Sequence, residues 1–455
     1  MESVWLKDGA PRKREPLTRD MEAPAVVIGA GLAGILTAYY LKQEGIRAVV
    51  LEADRIGSGQ TKNTTAKITS QHNLIYSRLI QTFGRRMAEH YASANEAAIG
   101  EYERLIREKG IDCDFVRCPA YLYSRTGTEL LRQEAEAAGT LGITASFGTG
   151  CELPFPVAGV TRFERQARFH PLKFLAGMAE EVEVYEQTKV LKVEDKRAVT
   201  DRGTVTAEHI VFASHYPFIN VPGYYFARMY QERSYVVALE GAQKPEGMYL
   251  GIDPGGLSFR SCGNLLLLGG GSHRTGGNPK DRENMGCRYE MLRSRAGEIY
   301  PGCREVSRWS AQDCMTLDGL PYIGRFSGRR PYWYIASGFG KWGMTSAMVS
   351  ARILTALITG HDCPEADIFS PGRHFTVQAA KELAVHGAYT VKGLTKHLLP
   401  SGKGTIIPNC PHMGCRLEWN PDEESYDCPC HGSRFDREGR LIDGPAQTDC
   451  KKREE

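Results

Sequence analysis

Two short apolar runs near the start of the chain flank a stretch with helical spacing. Pro24–Ile28 and Ile46–Leu51 are continuous and rich in β-branched residues, as is typical of strands buried on both faces of a parallel sheet. Between them, Ile35–Gln43 follows the period of a helix, which is expected to end before Gly45. The pattern therefore predicts a β–α–β unit at the start of a doubly wound α/β domain.

Beyond this unit the pattern alternates between helical and strand segments. Residues 73–109 follow a helical period, whereas residues 111–300 break into short strands and turns. A helix rich in small residues is predicted over Met344–Ile358, and an amphipathic helix over Phe375–Leu399 is expected to end at Pro400–Gly404. The other predicted strands are Ala120–Ser124, Val205–Ala213, Ser234–Leu239, Leu265–Leu268 and Trp333–Ala336.

Length and charge narrow the class of protein. A chain of 455 residues is too long for one ordinary core and predicts two or three domains. The 57 basic and 54 acidic residues leave a net charge of +3, which gives no electrostatic reason to expect nucleic acid or an anionic membrane as a partner. No apolar run is long enough to span a bilayer, and the charged N-terminus lacks the apolar region of a secretory signal. We therefore expect a cytoplasmic protein.

A Gly-x-Gly-x-x-Gly pattern lies between the first strand and the first helix. Gly29 permits a tight turn, Gly31 lets the backbone approach a pyrophosphate, and Gly34 lets helix and strand pack closely. The pyrophosphate is then favoured by the positive end of the helix. Glu52 ends the second strand, where its carboxylate can accept hydrogen bonds from a ribose and would repel the 2′-phosphate of NADP. The pattern predicts a dinucleotide site but does not separate FAD from NAD.

Four further segments resemble the D-amino-acid oxidase and glycine oxidase family of FAD-dependent oxidoreductases. Arg55–Thr61 is similar to the loop that wraps the pyrophosphate, and Gly203–Ala213 to the strand that returns to the FAD-binding sheet. Trp309–Gly324 resembles the strand and turn near the flavin, and Ser337–Met344 the last glycine turn into a helix. The FAD contacts implied by this resemblance and the fingerprint are Gly29, Gly31, Gly34, Glu52, Ser58, Thr61, Asp318, Gly338, Lys341 and Met344.

Several residues of this part have two interpretations. Lys341 either offers its ammonium to the flavin or is solvated. Cys314 falls where the monomeric sarcosine oxidases bind flavin covalently, but a buried cysteine on a strand is the simpler reading. The histidines are either catalytic or hydrogen-bonded scaffold, so no catalytic base is assigned. They are His72, His170, His215 and His273.

The C-terminal region carries a second pattern, Cys-x-His, fifteen residues, then Cys-x-x-His. Cys410 and Cys428 supply thiolates, which suit a ferric iron, and His412 and His431 supply imidazoles, which suit a partner iron. This is the ligand set of a Rieske [2Fe–2S] centre. A Cys₂His₂ zinc site uses the same ligand types, but zinc fingers place both cysteines in one pair and both histidines in the other.

With its flanking residues, this region resembles Rieske domains over residues 404–448. The resemblance implies a disulfide between Cys415 and Cys430 and a hydrogen bond from Ser433 to a cluster sulfide. Rieske domains normally have several strands before the first ligand pair, whereas here only Gly402–Asn409 precedes Cys410. We expect a shortened module that depends on the flavin domain or on its cluster for stability.

The expected fold class is α/β, with an FAD-binding doubly wound domain, an inserted mixed β-sheet substrate domain and a small all-β Rieske module. The expected segments are an N-terminal arm (1–22), FAD-binding segments (23–115, 160–215 and 305–361), substrate-domain segments (116–159 and 216–304), a connector and helix (362–403) and the Rieske module (404–450).

These features predict an oxidoreductase that uses FAD and a [2Fe–2S] cluster. The first hypothesis is a dehydrogenase that oxidises a small amine or amino acid and relays electrons through the cluster to an unidentified acceptor. A carboxylate-binding arginine would favour it, and Arg260 and Arg233 are the candidates. The second hypothesis is an electron-transfer protein in which a partner reduces the flavin through the cluster. In the third, the cluster is a redox sensor or a structural staple.

Overall fold

The computed structural model describes residues 2–277, 287–397 and 406–452. The break predicted at Pro400–Gly404 lies outside these ranges, as do the last two residues of the helix predicted over Phe375–Leu399. The described residues form two large sheets with helices packed on them and one small antiparallel sheet near the C-terminus. This is the fold class expected from the sequence.

The strands are given in chain order. They are β1 (Met21–Ile28), β2 (Ala48–Leu51), β3 (Lys67–Ile68), β4 (Val116–Ser124), β5 (Ala145–Gly148), β6 (Gly159–Arg168), β7 (Glu183–Tyr185), β8 (Val190–Glu194), β9 (Arg197–Thr200), β10 (Thr204–Phe212), β11 (Met229–Glu240), β12 (Met248–Gly251), β13 (Ser258–Cys262), β14 (Leu265–Arg274), β15 (Arg304–Thr316), β16 (Tyr322–Ser327), β17 (Arg330–Ser337), β18 (Glu418–Asn420), β19 (Ser425–Asp427), β20 (Arg434–Phe435) and β21 (Leu441–Asp443).

The α-helices are given in the same way. They are α1 (Leu32–Gln43), α2 (Tyr76–Phe83), α3 (Arg85–Lys109), α4 (Glu129–Thr140), α5 (Pro171–Ala179), α6 (Tyr225–Arg228), α7 (Arg288–Ile299), α8 (Gly343–Thr359), α9 (Ala366–Phe369) and α10 (Val377–His397). Short 3₁₀ helices cover Val4–Leu6 and Gln60–Asn63.

The first sheet has the order β16-β17-β10-β1-β2-β7. Off this path, β9 pairs with β10, and β8 pairs with β9. Its central pairs are parallel, and Val26 and Val49 are partners that are fully buried. Burial on both faces explains why β1 and β2 are continuous apolar runs in the sequence. Because the carboxyl ends of parallel strands meet at one edge, Gly29 and Glu52 lie side by side there.

The second sheet has the order β15-β11-β14-β13-β12-β4-β6-β3, with β5 on β6. It is mostly antiparallel, although β12 and β4 run parallel. The sheet includes β3, β6 and β15, which apart from Gly159 and Arg304 lie in the segments predicted to bind FAD. Which sheet a strand joins is decided by partners far away in the chain, and a local hydrophobic pattern does not carry that information.

The third sheet, β18-β19-β20-β21, is antiparallel and small. Its core contains Cys415, Leu417, Phe435 and Ala446, each at most 5% exposed. This is the short all-β module expected at the C-terminus. Four strands of two or three residues cannot bury enough apolar surface to be stable alone.

The N-terminal arm differs from its prediction. It was expected to be polar, but Trp5 is 1% exposed and Leu17 is 2% exposed. The indole of Trp5 donates a hydrogen bond to the carbonyl of Thr64 at 2.8 Å, and the guanidinium of Arg260 lies 5.0 Å from its ring centre. Isolated apolar residues in a charged segment give no periodic signal, so the packing of this arm was not predicted.

Within the described ranges, every helix is too short or too polar to cross a bilayer.

Candidate functional site

A cavity of about 1390 Å³ opens at the carboxyl ends of β1 and β2. One part of its wall is the turn after β1, with Gly29 and Gly31, together with Glu52 at the end of β2. A second part comes from the start of α8, and a third from Leu441–Gln447 of the C-terminal module. The cavity is therefore bounded by all three sheets.

The turn after β1 has a backbone that only glycine fits. Gly29 has a φ of +107°, and a Cβ there would lie 2.6 Å from the carbonyl oxygen of Ala213. A Cβ on Gly34 would lie 1.9 Å from the carbonyl oxygen of Gly29, so this glycine serves the contact between helix and strand. Both positions match the physical reasons for a dinucleotide fingerprint.

The N-terminus of α1 is suited to bind an anionic ligand. The backbone N–H of Leu32 donates to the hydroxyl of Thr61 at 3.3 Å, which brings the loop Arg55–Thr61 against the positive end of the helix. The carboxylate of Glu52 accepts a hydrogen bond from the N–H of Ala30 at 2.8 Å, and burial raises its pKa. This arrangement fits a pyrophosphate at the helix and a ribose at Glu52.

Most of the predicted FAD contacts lie on the cavity wall. They are Gly29, Gly31, Glu52, Ser58, Thr61, Lys341 and Met344.

Three of the predicted contacts lie elsewhere. Gly34 packs between helix and strand, and Gly338 has a φ of +71° at a turn where a Cβ would lie 2.3 Å from Thr316. The carboxylate of Asp318 is bound by the guanidinium of Arg373 at 2.6 and 2.7 Å. Burial alone would raise the pKa of Asp318, but Arg373 holds it below its usual value. Asp318 therefore anchors the chain after α9 and is corrected from a cofactor contact to a structural residue.

Of the two residues with alternative interpretations, Lys341 lines the cavity and Cys314 does not. The ammonium of Lys341 lies on the cavity wall, 2.8 Å from the hydroxyl of Ser272 and 3.2 Å from the carboxylate of Glu232. Cys314 is 1% exposed and packs in a core cluster with Met229. Neighbouring residues of a strand point to opposite faces, and the cavity-lining neighbour of Cys314 is Asp313. The structure therefore supports the reading of Cys314 as a buried core residue.

Three of the four candidate histidines are scaffold residues. His72 is hydrogen-bonded to the hydroxyl of Tyr91 at 2.6 Å, and burial lowers its pKa to about 3. His170 caps α5 by accepting a hydrogen bond from a backbone N–H. His273 stacks on Tyr235, and burial lowers its pKa to about 4. His215 alone among the four lies on the cavity wall.

Neither candidate arginine lines the cavity. Arg260 donates to the carbonyl of Phe169 at 2.8 Å beneath the N-terminal arm. Arg233 is 1% exposed; it donates to the hydroxyl of Ser310 at 2.6 Å and lies 3.8 Å from the carboxylate of Asp427 in the C-terminal module. The expectation that one of them binds a substrate carboxylate is therefore corrected: both are structural cations.

Two cavity-wall residues that the sequence did not indicate, Lys67 and Asp313, have pKa values shifted to about 7. Lys67 donates to the hydroxyl of Ser258 at 2.6 Å and to the carbonyl of Tyr249 at 3.0 Å. Both of these partners are uncharged, and burial lowers the pKa of Lys67 to about 7. Burial likewise raises the pKa of Asp313 to about 7. Lys67 belongs to no local motif, and Asp313 lies within the segment Trp309–Gly324 but was not singled out there, so the cavity identifies both.

The second site lies in the C-terminal module. Interaction with the adjacent thiol of Cys428 is the main cause that lowers the pKa of Cys410. The sulfurs of Cys415 and Cys430 are close to Cys428 but are joined to each other in a disulfide, with an S–S distance of 2.09 Å. Cys410 and Cys428, the two cysteines of the Cys-x-His and Cys-x-x-His pattern, both remain free to ligate a metal.

The two imidazoles of the pattern meet beside these thiols. The ring centres of His412 and His431 are 4.9 Å apart, and neither Nδ1 has a hydrogen-bond partner among the described residues although both are buried. An unpartnered buried nitrogen is costly, and a metal would satisfy it. Nε2 of His412 donates to the side-chain oxygen of Asn220 at 2.9 Å, which leaves Nδ1 free to ligate.

Ser433 lies beside this site. It is fully buried, its hydroxyl accepts a hydrogen bond from the N–H of Ala446 at 3.0 Å, and it helps to lower the pKa of Cys410. Its hydroxyl hydrogen is left to donate toward the sulfur atoms of the site, in keeping with the role implied by the resemblance.

The ligand loops are buried against the second sheet. Gln231 on β11 donates from Nε2 to the carbonyl of His431 at 2.7 Å, and Gln312 on β15 donates to the carbonyl of Gly432 at 2.8 Å. His431 is 1% exposed, with Phe226 at 6.1 Å between ring centres. The module thus presents its metal-binding tip to the rest of the protein rather than to solvent.

Two family models match this chain. The family model described as DAO, FAD dependent oxidoreductase, matches residues 25–357. The chain belongs to this family. A second model, for the Rieske [2Fe-2S] domain, matches residues 395–453. This DAO-family oxidoreductase therefore uses FAD together with a Rieske-type [2Fe–2S] cluster, and the zinc alternative is set aside.

Individual relatives agree with both assignments. The putative Rieske 2Fe-2S iron-sulfur protein YhfW of Bacillus subtilis (strain 168) is 34% identical across 98% of this chain and 96% of its own length. Among solved structures, glycine oxidase from Geobacillus kaustophilus has a TM-score of 0.64 at 18% identity, covering 78% of this chain and 99% of that one. L-Proline dehydrogenase from P. horikoshii has a TM-score of 0.63 at 17% identity, covering 78% and 97%. At these identities the two structures establish the fold alone.

The cluster ligands can be tested with a matched pair of cysteines. Cys428→Ser should abolish the EPR signal of the reduced cluster, because it removes one thiolate ligand. Cys450→Ser changes another buried, unpaired cysteine of the same module and should retain the signal. Iron analysis of both proteins checks the loading, and a normal cluster in Cys428→Ser would refute the assignment.

The FAD of this protein should be non-covalent. Because Cys314 faces the core, acid precipitation should release all yellow colour into the supernatant. Flavin absorbance of pellet and supernatant gives the measurement. Colour that stays with the pellet in the wild type but not in Cys314→Ser would contradict the prediction.

Proposed function

We propose that this protein is a dehydrogenase that oxidises a small amine or amino acid and passes the electrons through its Rieske cluster to an acceptor. FAD supplies the two-electron oxidation and the cluster supplies single-electron exchange when both are bound. The observation that carries the proposal is that one cavity is walled both by the dinucleotide turn and by Leu441–Gln447 of the Rieske module. Donor and acceptor groups held in one chain have a high effective concentration, which favours this route over reaction with oxygen.

The residues proposed to hold the two groups follow from the geometry. FAD is held by the cavity-lining members of the predicted set, namely Gly29, Gly31, Glu52, Ser58, Thr61, Lys341 and Met344. The cluster ligands are Cys410, His412, Cys428 and His431.

The cavity suits a substrate that carries both an anionic and an amine group. Lys67 provides a cation without a carboxylate partner among the described residues, and Asp313 provides a carboxyl group whose pKa lies near 7. An amino acid offers the complementary charges. The names of the related structures, glycine oxidase and L-proline dehydrogenase, support the same substrate class.

Anaerobic stopped-flow spectroscopy tests the proposal. Mixing with a panel of amino acids and amines should bleach the flavin absorbance first, and the EPR signal of the reduced cluster should follow in freeze-quenched samples. Cys428→Ser should still bleach the flavin but lose the second phase. A cluster that stays oxidised while the flavin is reduced would contradict the relay, and a panel that reduces neither would contradict the substrate class.

Lys67 should bind the carboxylate group of the substrate. Benzoate serves as a probe because it has no amine to titrate, and its binding should perturb the flavin absorbance. The ammonium is present below its pKa of about 7 and is lost above it, so benzoate affinity should fall about tenfold for each further pH unit. Lys67→Met should bind benzoate weakly at all pH values. Lys67→Arg should still bind benzoate tightly above pH 8, because its guanidinium stays charged there. Affinity in Lys67→Met equal to that of the wild type would refute the assignment.

A further inference from the structure

We propose that Leu441–Gln447 of the Rieske module is part of the FAD site, so that FAD is held tightly only while the module is docked. The segment includes β21 and the turn after it, and all seven of its residues lie on the cavity wall together with the dinucleotide turn. The inference concerns FAD affinity and does not depend on the substrate or on the direction of electron flow.

Two contacts join this segment to the elements expected to hold FAD. Gln60, within the loop Arg55–Thr61, donates from Nε2 to the carboxylate of Asp443 at 3.2 Å. Lys189 donates from Nζ to the carbonyl of Gln447 at 2.7 Å. The segment therefore contacts the loop Arg55–Thr61 through Asp443. Through Gln447 it contacts the wall beyond Glu52, which is formed by residues 188–190.

The wall beyond Glu52 is itself tied to the dinucleotide site. The N–H of Thr188 donates to the carbonyl of Glu52 at 2.8 Å, and Thr188, Lys189 and Val190 all line the cavity. A displacement of Gln447 would therefore remove the hydrogen bond that Lys189 donates to it. Lys189 borders the end of the cavity where the ribose is expected.

A chain of glutamines supports the segment from the second sheet. The side-chain oxygen of Gln60 accepts a hydrogen bond from the N–H of Gln312 at 2.8 Å, and Gln312 donates to the side-chain oxygen of Gln231 at 2.7 Å. Gln231 in turn lies 3.3 Å from the carbonyl of Gly444. A wall held in place before the ligand arrives loses little entropy on binding. By thermodynamic linkage, FAD then stabilises the docked module by the same amount.

The docking can be weakened at Glu423, which does not itself line the cavity, although its partner Arg434 does. The carboxylate of Glu423 accepts a hydrogen bond from the hydroxyl of Tyr289 at 2.7 Å and pairs with Arg434 at 3.2 Å and with buried Arg233 at 3.8 Å. Glu423→Lys places a cation against these two arginines. The adjacent Glu424 pairs with Arg437 on the module's own surface, and its side chain is 65% exposed against 17% for Glu423. Glu424→Lys is therefore a control with the same change in charge.

The experiment measures FAD release from the holoproteins. Diluting each protein and following the fluorescence of free FAD yields a dissociation constant, while the cluster EPR signal checks that the cluster is still loaded. Glu423→Lys should raise the dissociation constant of FAD at least about tenfold. Glu424→Lys should stay within about twofold of the wild type. Hydrogen exchange of the peptide covering 441–447 should rise only in Glu423→Lys.

Faster exchange of 441–447 in Glu423→Lys with unchanged FAD affinity would overturn the proposal. Unchanged exchange and unchanged affinity would overturn it as well, because the docking contact would then not hold the segment. If Glu423→Lys does not fold, Tyr289→Phe removes only the hydroxyl that donates to Glu423. It should weaken FAD binding about threefold with the cluster intact, and a wild-type affinity there would count against the proposal.

Discussion

The joining of the two cofactor sites depends on one buried guanidinium. Arg233 is 1% exposed on β11, and its charge is met by carboxylates of the Rieske module, Asp427 and Glu423, each 3.8 Å away. Burial alone would raise the pKa of Asp427, but Arg233 and Arg434 hold it below its usual value. A buried charge that loses its partner destabilises a protein by several kcal/mol. The second sheet and the module are therefore each incomplete without the other.

The two-residue period of a strand explains how one sheet serves two sites. On β11, Gln231 and Arg233 point to the Rieske module, whereas Glu232 between them pairs with Lys341 on the cavity wall. On β15, Gln312 faces the module and Asp313 faces the cavity. Consecutive residues thus bind the cluster loops on one face and shape the flavin cavity on the other. A shift of either strand by one residue would exchange the two faces and destroy both sites.

The features that the sequence indicated are local. The glycine turn before α1 and each half of the ligand pattern, Cys-x-His and Cys-x-x-His, are marked by spacings of a few residues, so no tertiary information was needed to recognise them. The misassigned residues have distant partners: Asp318 meets Arg373 across 55 positions, and Arg260 meets Phe169 across 91. Arg233 looked like a substrate ligand because an isolated arginine carries no sign of the carboxylate that the fold will bring to it. Lys67 was missed for the same reason, since only the cavity distinguishes it from a surface lysine.

The C-terminal module is stabilised by contacts from the rest of the chain. Its disulfide closes a loop with a sequence separation of 15, which is worth about 3 kcal/mol in the chain-entropy account. Helix α10 rests directly on that bridge: a Cβ on Gly393 would lie 2.7 Å from the sulfur of Cys430, and its carbonyl accepts the N–H of Arg416 at 3.1 Å. A module held by a helix, by Arg233 and by the glutamines has little freedom to swing away. Its cluster loops and the cavity wall are consequently in place together before any ligand arrives.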